Sequence, residues 1–264
     1  PNPQSPMKYL YINFISLWKK VIILIIYLSF AFSSQGSVKV DADSAYVRGD
    51  YAQAISLYEE MLTEGESAEV YYNLGNSYFK IDNKGKSILN YERALLLDPG
   101  NSDIRANLDI AKSKTQDNLV STPSIFFVVW VNSLINTMSV KQWAVCGIIT
   151  FILLLLALGV FFFTMSEKIK KISFIGAICL LVLSLISNIF AYSQKSRLIN
   201  RNDAIVLTPS VTVRSTPSES GTSLFILHEG TKVTIKDNSM QEWKEIELSD
   251  GKVGWISKED IEVI

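Results

Sequence analysis

Two long runs of uncharged, mostly apolar residues constrain this chain more than any other feature. Ala144–Met165 has 22 residues without a charge, and Ile172–Tyr192 has 21. As helices they would be about 33 and 31 Å long, and the hydrocarbon core of a bilayer is about 30 Å thick. Only Ser166–Lys171 separates them, so the sequence predicts a transmembrane helical hairpin. The alternative is a pair of buried helices in a soluble protein, where uncharged runs of this length are rare.

The amino-terminal segment has the pattern of an export signal. Lysines precede a 12-residue apolar run, Val21–Phe32, which is too short to span a bilayer as a helix. Ala31-Phe32-Ser33 then matches the small-x-small pattern of a cleavage site. Residues 1–33 are therefore predicted to be upstream residues and a signal peptide, cleaved after Ser33. The alternative is an uncleaved anchor that also uses Tyr9–Trp18.

The flanking charges and the signal together predict the orientation of the hairpin. Three lysines in the Ser166–Lys171 turn favour a cytoplasmic turn, whereas three cations after the second run oppose it. Export of the segment that follows the signal decides for a cytoplasmic turn. The protein is thus predicted to lie in the bacterial inner membrane, with both soluble modules on the periplasmic side. Residues 124–143 are apolar but interrupted by polar side chains, which predicts a segment along the membrane surface with Trp130 and Trp143 at headgroup depth.

Residues 34–118 read as a helical repeat domain. Ala68–Asn101 is 34 residues long, the period of a tetratricopeptide repeat, a helix–turn–helix unit. Gly75 would let the two helices approach closely, and Pro99 would end the second. The other residues in register with the repeat are Leu74, Tyr78, Ser87, Tyr91 and Ala94. A degenerate unit precedes it, marked by Ala42, Ala45, Gly49, Tyr51, Ala54 and Tyr58. Ser102–Asn118 is predicted to form a third, capping helix with Ser102 as its N-cap.

Stacks of such units present a concave groove lined by the first helix of each unit. Asparagine side chains there can bind a peptide backbone through paired donor and acceptor groups. The peptide-groove candidates are Tyr72, Asn73, Asn76, Lys80 and Asn107. The alternative is that these are ordinary solvated helix positions.

Residues 204–264 change to short alternating runs separated by Gly, Pro, Asp and Asn, which predicts a small β-domain. The series VTVRSTPS, LHEGTKVTI, WKEIEL and DGKVGWI resembles the bacterial SH3 domain, a binding module. Trp243 and Trp255 are the candidates for its ligand surface, although packing in the core or at its rim is favoured for Trp255. His228 reads as a solvated turn residue. The predicted strands are Val211–Arg214, Leu224–Leu227, Lys232–Lys236, Trp243–Leu248 and Val253–Ile256.

The predicted fold class is a multidomain membrane protein. It combines all-α tetratricopeptide helical repeats, a transmembrane helical hairpin at 144–165 and 172–192, and an all-β SH3-like barrel. No enzyme site is predicted, because the chain has one histidine, and its two cysteines lie in the apolar runs. No catalytic, cofactor-binding or metal-binding residue is assigned, and no cofactor is expected. A net charge of −1 without a basic cluster argues against a nucleic-acid partner.

The order of these segments resembles the BatE-type aerotolerance-related membrane proteins, and Asn107–Asp117 (NLDIAKSKTQD) adds to the likeness. The resemblance implies a non-enzymatic, membrane-tethered adaptor or scaffold in the bacterial envelope. Its implied partners are von Willebrand factor A membrane proteins of the same operon, in a complex linked to aerotolerance or stress. The alternative is a cell-wall-binding sensor or anchor, in which the SH3-like domain binds peptidoglycan.

Overall fold

The computed structural model describes residues 38–117 and 125–264. The predicted signal segment, 1–33, lies outside these residues. Contacts divide the chain into two compact units, one ending at Gly65 and one covering Glu66–Ile264.

The described part of the first unit is a helix pair. Helix α1 covers 38–47, and α2 covers Tyr51–Glu64. Gly49 turns the chain between them at φ +82°, a conformation that favours glycine. Asp50 caps α2, and the Tyr58 hydroxyl donates to Asp43 Oδ1 at 2.6 Å. This is the layout expected of the degenerate repeat unit, whose assignment as a repeat stays a prediction.

The second unit begins with three helices: α3 (Ala68–Lys80), α4 (Lys84–Leu97) and α5 (Ser102–Lys112). A Cβ atom at Gly75 would lie 2.7 Å from Tyr91 Cδ1, so α3 and α4 can approach this closely only because Gly75 has no side chain. The Ser87 hydroxyl donates to the Gly75 carbonyl at 2.9 Å. The N-cap of α5 is Asn101, which accepts from the Ile104 backbone N–H, and not Ser102 as predicted. The amide oxygen of Asn101 takes the capping position one residue earlier.

Two described helices are long and apolar enough to cross a membrane: α7 (Val140–Phe163) and α8 (Glu167–Ile199). Helix α7 begins four residues before its uncharged run and ends two residues before the run does, whereas α8 extends beyond its run at both ends. A capping box between Ser139 and Gln142 starts α7, and α8 includes the lysines that were placed in the turn. The connection is therefore only 164–166, shorter than the predicted Ser166–Lys171. A short apolar helix, α6 (Phe126–Ile135), precedes α7.

Helices α7 and α8 are antiparallel. Trp143 packs edge-on against Phe190 at one end of the pair, and the rings of Phe161 and Phe174 are in tilted contact at the other. Between them the Ser184 hydroxyl donates to the Gly147 carbonyl, so small residues let the helices approach. The chain therefore enters and leaves the pair at the same end.

The carboxy-terminal domain is an antiparallel sheet of seven strands within residues 203–263, in the order β3-β2-β6-β5-β4-β1-β7. All five predicted strands are present, as β2 to β6. Two were missed: β1, which enters the sheet beside β4, and β7, which pairs with β1. The strands are β1 (Asp203–Val206), β2 (Ser210–Arg214), β3 (Ser223–His228), β4 (Lys232–Asp237), β5 (Trp243–Glu247), β6 (Val253–Ser257) and β7 (Ile261–Val263).

The sheet is not the closed barrel that the sequence predicted. Within the described strands, β3 and β7 are the two edges and do not pair with each other. Alternate residues nevertheless form one buried core, which includes Val213, Leu227, Val233, Ile246 and Ile256. The predicted tight turn between β5 and β6 is present, with Gly251 at φ +85° and its N–H donating to the Leu248 carbonyl.

Candidate binding surfaces and the joint between them

Three of the five groove candidates form one hydrogen-bonded network on α3 and α5. Helices α3 to α5 are called the helical unit below. Asn107 Nδ2 donates to the Tyr72 hydroxyl at 2.9 Å and to Asn76 Oδ1 at 3.0 Å. The Tyr91 hydroxyl also donates to Asn76 Oδ1, at 2.7 Å. The contacts join helix α5 to α3 across 31 and 35 residues of sequence. Sequence reasoning placed these residues on a common surface but did not predict that they bind one another.

The network fixes the orientation of two amides. Asn76 Oδ1 accepts two hydrogen bonds, and Asn107 Nδ2 donates two. Within the described residues, Asn76 Nδ2 and Asn107 Oδ1 have no hydrogen-bond partner, and both side chains are partly exposed. One donor and one acceptor therefore remain on neighbouring side chains, the complement of a peptide C=O and N–H. Of the other two candidates, Asn73 is half-buried on α3 and Lys80 is exposed at its end.

The structure places Trp243 and Trp255 together on the outer face of the sheet. In the β5–β6 pairing, Trp243 lies opposite Ser257, and Trp255 opposite Glu245, so the indoles occupy diagonal positions on one face. Such diagonal neighbours lie about 7–8 Å apart, within reach of aromatic rings. Both are half-buried and neither belongs to the buried core, so Trp255 is not a core residue; its packing at the rim of the core and its role in ligand binding stay predictions.

The sheet face around the tryptophans has both charged and apolar side chains. Arg214 pairs with Trp255 across β2 and β6, and its guanidinium donates to Glu219 at 2.8 Å. Strands β3 and β6 expose three aliphatic side chains, which are about half accessible: Leu224, Ile226 and Val253. Apolar rings beside charged groups suit a ligand that has both apolar and polar parts.

A third feature was not predicted: the turn after β3 docks on the helical unit. Asp117, which follows α5, accepts hydrogen bonds from the His228 backbone N–H and from the Thr231 hydroxyl, both at 2.7 Å. Glu229 Oε1 accepts from the Gly85 N–H at the start of α4, also at 2.7 Å. Gly230, at φ +88°, lies so close that a Cβ there would be 2.8 Å from Ile88 Cδ1.

His228 is therefore not the solvated turn residue that the sequence suggested. It ends β3, is partly buried, and its Nδ1 lies 2.7 Å from Asp117 Oδ1. Partial burial raises the pKa of Asp117, but the hydrogen bonds from Thr231 and His228 outweigh burial and hold that pKa below its usual value.

Charged pairs extend this contact. Glu92 on α4 has a side chain only 11% exposed and binds Lys112 at 2.6 Å and Lys232 of β4 at 3.0 Å. Burial raises the pKa of Glu92, but the two lysine charges outweigh burial and lower it overall. Arg93 donates to Glu262 at 2.9 Å. We call this set the joint: Gly85, Glu92, Arg93, Lys112 and Asp117 on the helical side, with His228–Lys232 and Glu262 on the sheet.

Within residues 38–117 and 125–264 no group of three or more His, Cys, Asp or Glu side chains is placed to hold a metal ion. Cys146 and Cys179 are free thiols on α7 and α8.

Comparison with known protein families supports two of the predicted domains. Residues 68–101 match the tetratricopeptide repeat, and residues 209–262 match the bacterial SH3 domain. The chain thus contains a tetratricopeptide repeat and a bacterial SH3 domain. The first match has the same bounds as the predicted repeat, and the second lies inside the predicted 204–264. Tetratricopeptide repeats and bacterial SH3 domains are typically binding modules without catalytic activity. No curated protein matches the chain.

Proposed function

We propose that the protein is a non-enzymatic, membrane-tethered adaptor of the bacterial envelope, in which the repeat and the SH3 domain act as one docked body. The joint is the observation that carries this proposal. Hydrogen bonds and ion pairs connect α4 and the segment after α5 with β3, β4 and β7, across more than 100 residues of sequence. Two modules that merely shared a tether would not need such contacts.

The antiparallel helices support a common compartment for both modules. The chain reaches α7 from the helical unit and leaves α8 into β1. Because the pair is antiparallel, these two ends lie together: Gln194 of α8 donates to the carbonyls of Ile135 and Met138, just before α7. If the pair spans the membrane, the modules face the same side and are confined near its surface, which raises their effective concentration for membrane partners.

The repeat is proposed to bind an extended segment of a protein partner. Asn76 Nδ2 would donate to a backbone carbonyl of the segment, and Asn107 Oδ1 would accept from a backbone N–H. Tyr91 and Tyr72 hold the two amides in the required orientation before the partner arrives. This preorganisation reduces the ordering cost of binding. Tyr72, Asn73 and Lys80 complete the proposed groove.

The SH3 domain is proposed to bind through Trp243 and Trp255, either a second protein or peptidoglycan. The tryptophan face favours the cell-wall alternative as a second function, since flat apolar rings beside charged groups suit sugars linked to charged peptides. The protein would then be an anchor or sensor.

The proposed location and partners rest on the resemblance to the BatE-type proteins. We propose that the protein lies in the inner membrane, with residues 34–118 and 204–264 in the periplasm. Its proposed partners are von Willebrand factor A membrane proteins, in an assembly that serves aerotolerance or stress tolerance.

Affinity purification of the tagged chain from membranes tests the adaptor proposal. Asn76→Asp keeps the oxygen that accepts from Tyr91 and Asn107 but removes the outward donor. A polar group left unpaired in a complex costs about 1–3 kcal/mol, so the affinity for the repeat partner should fall roughly fivefold or more and its recovery should decrease. Asn238→Asp adds the same charge at an exposed site in the loop after β4 and serves as the control. Recovery at the wild-type level with Asn76→Asp would contradict a peptide groove.

Retention on purified peptidoglycan distinguishes the second function. Trp243→Ala should lower retention severalfold and spare the repeat partner. Trp130→Ala removes an exposed tryptophan from α6 and is the matched control. Unchanged retention with Trp243→Ala, or equal loss with both variants, would remove the case for cell-wall binding at this face.

The sidedness can be tested with single cysteines in a chain lacking Cys146 and Cys179. Cysteine at exposed Ile169 near the start of α8 should resist a membrane-impermeant thiol reagent in spheroplasts, and cysteine at exposed Ser220 should react. The reverse pattern would refute the periplasmic placement.

A further inference from the structure

A cavity of about 520 Å³ borders the joint, where helices α4 and α5, the end of α8 and the entry to the sheet meet, and the joint residues Glu92, Lys112 and Lys232 form part of its wall. Its walls come from α4, α5, the segment after α6, the last turns of α8 and β4. Leu95, Leu96, Pro99 and Leu108 give it apolar surface, and charged and amide side chains supply the rest.

The cavity is at the level where α8 leaves its apolar part. The last residue of the uncharged run is Tyr192, and the cavity-lining Gln194 and Arg197 follow within two helical turns. If α8 spans the bilayer, this height corresponds to the lipid headgroups. The short helix α6, whose Phe126 and Trp130 are exposed, precedes the same end of the pair.

The side chains around the cavity carry more positive than negative charge. Glu92 and Asp203 are its carboxylates, and both are bound to Lys232. Two arginines in the wall have no carboxylate partner among the described residues. The Arg105 guanidinium donates to the Pro99 carbonyl, and that of Arg197 to the amide oxygens of Asn132 and Asn136. A guanidinium presents several N–H donors in a plane and matches phosphate oxygens well.

One buried acceptor in the wall also lacks a donor. Gln194 is only 5% exposed, and its Nε2 donates to the carbonyls of Ile135 and Met138 at 2.6 and 2.7 Å. Its Oε1 is buried and accepts no hydrogen bond from the part of the chain described. Because buried polar atoms are normally paired, this oxygen indicates a ligand that brings a donor.

We infer that the cavity binds a phospholipid headgroup that carries a hydrogen-bond donor. The phosphate lies against Arg105 and Arg197, and the donor, an ammonium N–H or a hydroxyl, reaches Gln194 Oε1. Ethanolamine and glycerol headgroups meet both conditions, whereas choline has no N–H or O–H. The inference needs α7 and α8 to span a membrane but does not depend on the adaptor role.

Native mass spectrometry of the full chain in detergent tests this binding. Phosphatidylethanolamine and phosphatidylcholine with identical acyl chains have the same net charge and differ in the donor. We expect the ethanolamine lipid to bind at least severalfold more tightly. Equal binding of the two lipids would overturn the assignment of Gln194.

Variants test the phosphate contact. Arg105→Gln should weaken binding of the ethanolamine lipid about tenfold, the effect of losing a charge-assisted hydrogen bond. Arg105→Gln/Arg197→Gln should weaken it further, and Arg197→Lys should retain part of the affinity. Arg48→Gln/Lys258→Gln removes two exposed cations elsewhere and controls for net charge. Equal loss in that control, or no loss with Arg105→Gln, would contradict the site.

A soluble competitor separates a lipid from a free phosphate. Inorganic phosphate and glycerol phosphate should leave the bound lipid in place at millimolar concentrations. Displacement by either would show that the cavity selects a soluble phosphate and would overturn the lipid assignment. Partner recovery in the affinity purification is a separate readout, so failure here is distinguishable from failure of the adaptor proposal.

Discussion

The contact between α3 and α4 and the joint to the SH3 domain involve the same repeat but are built differently. The first depends on shape: Gly75 lies against the Tyr91 ring with no room for a side chain. The second depends on charge and hydrogen bonding, through Glu92, Asp117 and Lys232. The joint also has one close steric contact, at Gly230, but its charged pairs should make it sensitive to pH, whereas the α3–α4 contact should respond mainly to side-chain volume. We therefore predict that the joint can open while each module stays folded.

Replacing Gly75 by leucine should have the largest effect. A Cβ alone would lie within 2.8 Å of two Tyr91 ring atoms, and the backbone of Ser87 limits any shift. We expect the free energy of unfolding of the repeat to fall by roughly 1–3 kcal/mol or more, measured by thermal or denaturant melts. Gly65→Leu is the matched control, since a Cβ at Gly65 would have no atom within 4 Å. Equal melts for both variants would mean that the α3–α4 contact is not sterically limited.

Glu92→Gln should open the joint without unfolding the repeat. It leaves Lys112 and Lys232 without their shared carboxylate, at a cost of about 1–3 kcal/mol. Energy transfer between dyes at positions 110 and 239, in a chain lacking Cys146 and Cys179, should decrease while helical circular dichroism is retained.

Glu242→Gln removes an exposed carboxylate outside the joint and is the control. If Glu92→Gln lowered the melting temperature as much as Gly75→Leu, the two contacts would not be separable as proposed.

Acid should have a smaller, graded effect on the joint. The pKa values of Glu92 and Asp117 are lowered in the folded protein. Their contribution is therefore complete above the unfolded values, which are about 4, and is lost as pH falls through the lower folded values. The energy transfer should thus be constant from about pH 7 to 5 and decrease below about 4. A decrease already complete at pH 5 would contradict lowered carboxyl pKa values as its cause.

The smallest effect should come from Glu262→Gln. Its ion pair with Arg93 is at the edge of the joint, where the Glu262 side chain is 43% exposed and that of Arg93 is 20% exposed. Without Glu262, Arg93 keeps a second hydrogen bond, to the Val263 carbonyl. Exposed pairs contribute about 0–1 kcal/mol, so both stability and energy transfer should change little. A decrease in energy transfer as large as that from Glu92→Gln would show that the ion pair at the edge contributes most to the stability of the joint.

Local patterns in the sequence predicted the local structure well. The spacing around Gly75 gave the helix pair and its close contact, and five strands followed from alternation between turn residues. Strands β1 and β7 were missed because each has only three or four residues and gains its hydrogen bonds from distant partners. The closed barrel was wrong for a related reason, since edge pairing depends on geometry that no short pattern encodes.

The binding surfaces were predicted less completely. Asn76 and Asn107 were expected on one surface, but their shared network with Tyr91 depends on how α5 packs on α3. The joint connects Asp117 with His228, 111 residues apart, and no local signal marks such a pair. One missed boundary could have been found: Ser139 and Gln142 have the spacing of a capping box, which would have started α7 at Val140.

Helix α8 has 33 residues, and at about 1.5 Å per residue it is a rod of about 50 Å. Only residues 200–202 separate it from β1, and Arg201 is bound to Glu66 at the start of the repeat. Three residues extend at most about 10 Å, so the connection has almost no slack. If α7 and α8 span a bilayer, a displacement of the SH3 domain would therefore reach α8 directly, because the connection is too short to absorb it. The expected result is a tilt or shift of the helix pair within the bilayer.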